Sequence, residues 1–186
     1  MRNKKGEEKL YPLVQRYLRR RGYLTLPRKG GRVQADIVGI RDVGGRYSHE
    51  IEVVAVEVKN RKRTRLRYVT QALGYSKFAH RCYLAMPARY GEEEVRYARQ
   101  MGVGLLQIGG EKIREVLSAE TKIPTETELT GLLRRFDFVK CIFCGSIVRR
   151  SQATRINRIN AFGEEKHLYL CKSCKKYLQL QVIGVV

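Results

Sequence analysis

Between Ile51 and Lys59 the chain reads Ile-Glu-Val-Val-Ala-Val-Glu-Val-Lys, and this run limits the possible folds more than any other segment. Successive side chains of a strand point to opposite faces. Ile51, Val53 and Ala55 therefore share the face of Glu57, while Val54, Val56 and Val58 line the other. A strand that is apolar on both faces belongs in the middle of a sheet whose two sides are both covered. Charges at the end of such a strand need a reason to be there.

The flanking segments supply the cover. Leu10, Leu13, Val14, Tyr17 and Leu18 form an apolar stripe at helical spacing, which predicts a helix over 7–21 that Gly22 stops. Pro12 falls early, where a helix tolerates it. Leu24-Thr25-Leu26 reads as a short strand. A hairpin is expected from Ala35 to Lys59, turning at Asp42-Val43-Gly44-Gly45. A helix from about Leu66 to His80 follows, then a strand over 83–86, a helix over 91–101 and a strand over 103–108. Ile113, Val116 and Leu117 suggest one more short helix. This order describes an α/β domain, a mixed sheet flanked by helices. Thr121 to Thr127 is polar and reads as a linker, with a brief helix around Leu132. The expected organisation is a domain over 1–120, a linker with a short helix over 121–137 and a small cysteine-bearing domain over 138–186.

Composition narrows the function classes. The 186 residues carry 38 lysines and arginines against 18 aspartates and glutamates, a formal charge of +20. Both halves are basic, and a strongly basic protein usually meets a polyanion, most often nucleic acid. No apolar run is long enough to span a bilayer, so no membrane partner is expected. The basic N-terminus has no apolar stretch behind it, which argues against a secretory signal and makes a cytoplasmic location the expectation. Basic runs occur at Arg19–Arg21, Arg28–Arg32, Arg61–Arg67 and Arg149-Arg150. Within the third, Arg61, Lys62, Arg63, Arg65 and Arg67 follow the central strand directly and are the candidate phosphate contacts.

Four of the five cysteines form C-x-x-C pairs, Cys141/Cys144 and Cys171/Cys174. Such pairs form two knuckles that close one tetrahedral thiolate site, so these four are the candidate Zn2+ ligands and 138–186 reads as a zinc ribbon. The 26-residue spacer exceeds the commonest range. His167 lies near the second pair, but four cysteines already fill the site. Cys82 sits in an apolar strand-like run and reads as a small buried hydrophobe.

The remaining chemistry lies at the end of the central strand. Asp36 lies in the apolar run Ala35 to Ile40, and Glu57 and Lys59 share one face of the next strand. Phosphodiester hydrolysis needs a water nucleophile, charge neutralisation at phosphorus and protonation of the leaving oxygen. Mg2+ (or Mn2+) held by Asp36 and Glu57 would serve the first two needs. Lys59 would orient or help deprotonate the water, or stabilise phosphate charge.

With Asp36 followed by Glu57-Val58-Lys59, the chain resembles the PD-(D/E)XK nuclease superfamily over roughly residues 7–108. Ala35 stands where the family's usual proline precedes the aspartate. The resemblance implies a restriction-endonuclease-like mixed sheet and adds two site residues. Glu7 matches the family's first-helix glutamate, with Glu8 as the alternative, and Gln71 matches a glutamine on the helix after the lysine strand. Within the superfamily the core is similar to archaeal Holliday-junction resolvases and restriction-type nucleases. The Glu7-x-x-Leu10-Tyr11-Pro12 opening also resembles a nuclease-like family of unknown function. The implied activity is metal-dependent endonucleolytic cleavage of DNA, structure-directed and suited to repair or recombination. The rivals are a non-catalytic nucleic-acid-binding protein on the same fold and a zinc-ribbon interaction module of transcription or repair machinery. Many resolvases and restriction nucleases are dimers, so by analogy a homodimer is an expected state.

Overall fold

The computed structural model describes residues 4–26, 35–43, 51–159 and 165–182. The chain divides into two compact units, Met1–Arg41 with Glu52–Leu129, and Asp42–Ile51 with Thr130–Val186. The expected turn at Gly44-Gly45 and the basic run Arg28–Arg32 lie outside the described residues.

In the first unit the chain begins with two short helices, α1 (Lys4–Glu8) and α2 (Tyr11–Arg20), in place of the one continuous helix expected over 7–21. Pro12 explains the break. It lacks an N–H, and its ring conflicts with the carbonyl four residues earlier, that of Glu8. The chain passes the break with a tight bond from the Leu10 N–H to the Glu7 carbonyl, 3.0 Å, and starts α2 afresh with proline in its first turn. Gly22 follows α2 with φ +82°, the left-handed stop the sequence leads one to expect.

Six strands form one sheet among the described residues, in spatial order β1 (Leu24–Leu26), β2 (Ile37–Asp42), β3 (Ile51–Val58), β4 (Arg81–Met86), β5 (Gly104–Gly109) and β6 (Lys112–Leu117). β3, β4 and β5 run parallel, while β1 pairs antiparallel with β2 and β6 with β5. The parallel crossovers carry α3 (Leu66–Leu73), a 3-10 turn (Gly74–Lys77) and α4 (Glu92–Gln100). The architecture is therefore a mixed α/β sheet flanked by helices.

The apolar stripe of α2 lies on one face of the sheet. Val14 and Leu18 meet Val54, Val56 and Val58 there, with Leu10, Leu13 and Tyr17 at the margin. On the other face Tyr68, Val69 and Ala72 of α3 and Ala98 of α4 pack on Leu84, Met86 and Leu105. Every β3 side chain from Val53 to Val56, and Val58, is fully buried. Each valine removed from water there contributes about 1.5–3 kcal/mol. Cys82 is likewise buried, and burial pushes its thiol up to about 12. His80 accepts the Val53 N–H through Nδ1, so it serves the backbone rather than the thiol.

The short helix expected around Ile113 is instead the edge strand β6. Three apolar residues cannot fix a period, and Gly109-Gly110 makes a turn that returns the chain onto β5. A shift of register at Leu105/Leu106 lets Ile113 face α2 while Val116 and Leu117 face the α3 side. The segment read as a linker is bonded back to the first unit: Lys122 N–H donates to the His80 carbonyl at 2.7 Å and Thr125 N–H to that of Lys77 at 3.2 Å. Its helix, α5, is longer than expected, Glu126–Arg135.

The N-terminal end of β3 carries a buried charge, Glu52, facing α2. Tyr23 donates its hydroxyl, Arg41 donates Nε at 2.8 Å, and Arg81 donates Nε at 2.6 Å. Close by, Glu115 accepts from Tyr17, Tyr83 and Ser118 and pairs with Arg21 at 2.6 Å. Burial alone would raise both carboxyls, but these hydrogen bonds and arginine charges outweigh it and hold both below the usual glutamate range.

A lowered carboxyl stabilises the fold at neutral pH, and that stability is lost as pH falls through the lowered value. Glu52→Gln should cost about 2 kcal/mol at pH 7. That is less than for a fully buried pair, because Arg41 and Arg81 stay partly hydrated. Urea unfolding at neutral pH and at about pH 3 should show the gap between wild type and variant closing in acid. An unchanged gap would mean that Glu52 contributes through shape alone.

Candidate functional site

The C-terminal end of β3 carries the other two charges of the strand. β3 is central, so Glu57 is only 2 % exposed and Lys59 is nearly as deeply placed. Lys59 N–H donates to the Ala85 carbonyl at 2.9 Å, which extends the parallel pairing by one residue and fixes where its side chain leaves the backbone. The ammonium donates to Glu57 Oε1 and lies 3.8 Å from Glu7 Oε1. The break before Pro12 makes this possible, because it sets Glu7 on a separate helix. Asn60 holds that helix by donating Nδ2 to the Gly6 carbonyl at 3.1 Å. Glu7 is buried and Glu8 exposed, so Glu7 belongs to the site.

Asp36 stands immediately before β2. One carboxylate oxygen accepts the Val58 N–H at 2.9 Å and the other the Tyr11 hydroxyl at 2.7 Å. Tyr75, from the 3-10 turn after α3, donates its hydroxyl to Glu57 Oε2. Burial raises the Glu57 carboxyl, and the neighbouring Asp36 charge raises it further; the bonds from Lys59 and Tyr75 pull the other way without cancelling the rise.

These groups adjoin a cleft of about 420 Å³ lined by Glu7, Lys59, Arg61, Arg67, Tyr68 and Gln71. Arg67 lies 5.2 Å from the Tyr68 ring centroid, Lys59 5.8 Å. Arg67 also lowers the Tyr68 phenol by hydrogen bonding to it. Of the expected residues, Glu7, Lys59 and Gln71 face the cleft, as do Arg61 and Arg67. Asp36 and Glu57 do not line it: Glu57 lies buried against Lys59. Lys62, Arg63 and Arg65 are exposed on the connection to α3 and do not line the cleft.

Two contributors carry no signal in the sequence pattern. Tyr11 is visible only as part of the α2 opening, and Tyr75 depends on α3 tightening at Gly74. The acidic set also differs from the simplest expectation. Among the described residues the four cysteines form a group compact enough to share an ion; the carboxylates of Glu7, Asp36 and Glu57 do not. Their oxygens chemically suit a hard cation, but Lys59 and Tyr75 occupy those of Glu57. A cation at Glu57 Oε1 would compete with the Lys59 ammonium for that oxygen.

The cysteine centre lies wholly in the second unit. β7 (Phe138–Lys140) and β8 (Ile147–Arg149) pair antiparallel, and the chain between them makes a knuckle bearing Cys141 and Cys144. Gly145, at φ +74°, lets its own N–H reach the Cys141 carbonyl at 2.9 Å. A second antiparallel hairpin, β9 (Ala153–Ile159) with β10 (Glu165–Cys171), leads into α6 (Lys172–Val182). The second pair is thus not a knuckle, as the spacing suggests. Cys171 ends β10 and Cys174 lies in the first turn of α6. The four sulfurs lie within 4.8 Å of one another, and Cys144 Sγ is 3.8 Å from Cys171 Sγ. Tetrahedral zinc with Zn–S of about 2.3 Å requires sulfurs about 3.8 Å apart, so the set fits Zn2+. His167 is exposed and bonded to Arg155, outside this centre.

No helix among the described residues is long and apolar enough to cross a membrane. No protein-family model matches the chain, and no curated protein matches it. Among solved structures, a protein of unknown function from Silicibacter pomeroyi is similar in fold. It is 21 % identical, with a TM-score of 0.50 over 70 % of this chain and 83 % of that one.

Elemental analysis should find about one Zn2+ per chain, since four thiolates close one site. Cys171→Ser or chelation should collapse the amide NMR dispersion of residues 138–182. Signals from the β-sheet unit should persist. Loss of both together would show that the two units fold as one.

Proposed function

We propose that the chain is a metal-dependent nuclease of the PD-(D/E)XK type acting on DNA, with the cysteine centre as an accessory module. The observation that carries this reading is the charge pattern at the end of β3. Two buried carboxylates, Glu57 and Glu7, meet one buried ammonium, and the Asp36 carboxylate stands beside Glu57, in a protein whose formal charge is +20. A fold does not gather negative charge in its interior without cost. At the other end of the same strand Glu52 is answered by two arginines. Here Lys59 is shared by Glu57 and Glu7, and the Asp36 charge stands close enough to raise Glu57.

A divalent cation held by Asp36 and Glu57 would offset the repulsion between them and lower the pKa of a bound water. The protein's own groups divide the remaining work. Tyr11 and the Val58 N–H fix the Asp36 carboxylate. Tyr75 fixes one Glu57 oxygen and leaves the other to whichever cation stands beside it. Lys59, once displaced from Glu57, would remain on the cleft wall, within reach of a phosphate oxygen or an attacking water. Glu7, 3.8 Å from its ammonium, would keep it on that wall. Arg61 and Arg67 flank the cleft where phosphates of a bound strand would lie.

A second reading, a binding module without catalysis, draws on one observation. Lys59 and Tyr75 already occupy Glu57, and such a site is self-neutralised in part without metal. The two readings separate in a cleavage assay with Mg2+ or Mn2+ over duplexes, flaps, nicks and four-way junctions. The nuclease reading expects cutting that Asp36→Ala or Lys59→Ala lowers at least about 100-fold while DNA affinity stays within about threefold. Neutralising Arg61 and Arg67 together should instead weaken binding and flatten its salt dependence by about two counterions. Wild-type protein that binds the panel and cuts none of it would leave the binding module.

Metal occupancy can be followed without activity. Mn2+ should raise the melting temperature, because it would bind the folded state and offset the repulsion between Asp36 and Glu57. Protons compete with the ion for Glu57, whose carboxyl is raised, so the gain should fade as pH falls, beginning above the ordinary glutamate range. A thermal shift that persists unchanged down to about pH 4 would place the ion elsewhere.

A further inference from the structure

The cysteine centre presents an apolar surface that its metal chemistry does not require. Ile142 and Phe143 form the tip of the first knuckle, between Cys141 and Cys144. Both are more than half exposed, Phe143 at 57 %. The Ile142 N–H donates to the Tyr169 carbonyl at 2.9 Å, and Cys141 N–H to that of Ser146 at 2.8 Å. These bonds keep the knuckle backbone on the hairpin while its tip side chains face water. Tyr177, one turn beyond Cys174 on α6, is 51 % exposed. Its ring centroid is 6.0 Å from that of Phe143, and the planes are tilted by 42°. The tilted pair is in contact, yet each residue keeps more than half of its surface in water.

The surroundings indicate what would cover them. Residues 131–186 hold eleven lysines and arginines against three acidic residues. Lys140, Arg149, Arg150, Lys172, Lys175 and Lys176 are all exposed. A protein partner docking on bare Phe and Ile would have to desolvate this many cations. A polyanion with flat apolar rings gains from both features at once. Both aromatics are carried beside zinc ligands, Phe143 next to Cys144 and Tyr177 three residues after Cys174. The metal would therefore fix the two rings relative to each other before any partner arrives, which lowers the ordering cost of binding.

We infer that Phe143 and Tyr177 form a stacking platform for unpaired nucleobases, with the lysines and arginines around them holding the strand's phosphates. The platform takes single-stranded or frayed nucleic acid, since paired bases in a duplex offer no open ring face. This deepens the nucleic-acid reading above and rests on it.

The test uses the full zinc-loaded chain, a labelled single-stranded oligonucleotide and a blunt duplex of the same sequence. Phe143→Ala and Tyr177→Ala should each weaken single-strand binding by about tenfold and duplex binding by less than about twofold. Phe143→Leu, apolar but without a ring, should behave like the alanine variant. Phe143→Trp should keep its affinity. The chain has no tryptophan of its own, so the emission of the introduced indole reports directly, and single strand should quench it more than duplex. Zinc content shows whether each variant keeps its centre. Should the alanine variants lose zinc, the emission of the Phe143→Trp variant still decides. Wild-type affinity in both alanine variants, full affinity with leucine, or an unquenched indole would overturn the platform. If wild type binds neither oligonucleotide at low salt, the nucleic-acid reading falls, and the platform with it.

Discussion

β3 is covered on both faces, and the first unit is organised around that fact. Five of its side chains are fully buried, which requires α2 on one side and α3 with α4 on the other. The same burial sets the chemistry of its two glutamates. Glu52 and Glu57 lie on one strand, five residues apart and on opposite faces. Both lose water. Glu52 gains a tyrosine and two arginines and is lowered; Glu57 gains a lysine, a tyrosine and a neighbouring aspartate and is raised. Burial raises both, more strongly for the deeper Glu57, and the neighbours then lower Glu52 below its ordinary value but leave Glu57 above it. The first arrangement serves stability. The second keeps a carboxyl poised to respond to whatever cation or proton enters, which is how functional sites tend to depart from structural ones.

Much of this is legible in the sequence because it depends on period. The two-sided apolarity of Ile51–Val58 predicts a central strand, and the 3.6-residue stripe of α2 predicts its cover. The spacing of Glu57 and Lys59 places them on one face. Cys141, Cys144, Cys171 and Cys174 converge as their pairing implies. Features that depend on one residue's local geometry are not legible. Pro12 reads equally well as an early helix residue or as the start of a second helix. The structure takes the second course, and the position of Glu7 depends on it. The three apolar residues of β6 fit either period, and only the glycine turn before them decides. Tyr11 and Tyr75 act through hydroxyls brought in from other elements, a contact that no pattern along the chain encodes.

The two units handle exposed charge differently. In the first, arginines near Glu52 and Glu115 are spent on carboxylates and on tyrosine faces, with Arg21 at 4.5 Å from Tyr17 and Arg41 at 4.6 Å from Tyr23. In the second, Arg149 lies 5.7 Å from the Phe138 ring and Arg150 5.9 Å from that of Tyr169, while Phe143 and Tyr177 are more than half exposed. Basic composition alone does not separate these cases. What separates them is which partner a cation meets, carboxylates as well as rings in the first unit and rings in the second.

The long interval between the two cysteine pairs follows from what fills it. β8, a short 3-10 turn, β9 and β10 all lie between Cys144 and Cys171, and β10 delivers Cys171 opposite Ala153 of β9. Side chains alternate along a strand, so Cys171 reaches the sulfur cluster only from one parity of position. An extra residue within β10 would turn the thiol to the opposite face, and a second would turn it back. The paired strands are thus a ruler graduated in steps of two, fixed in phase at their base.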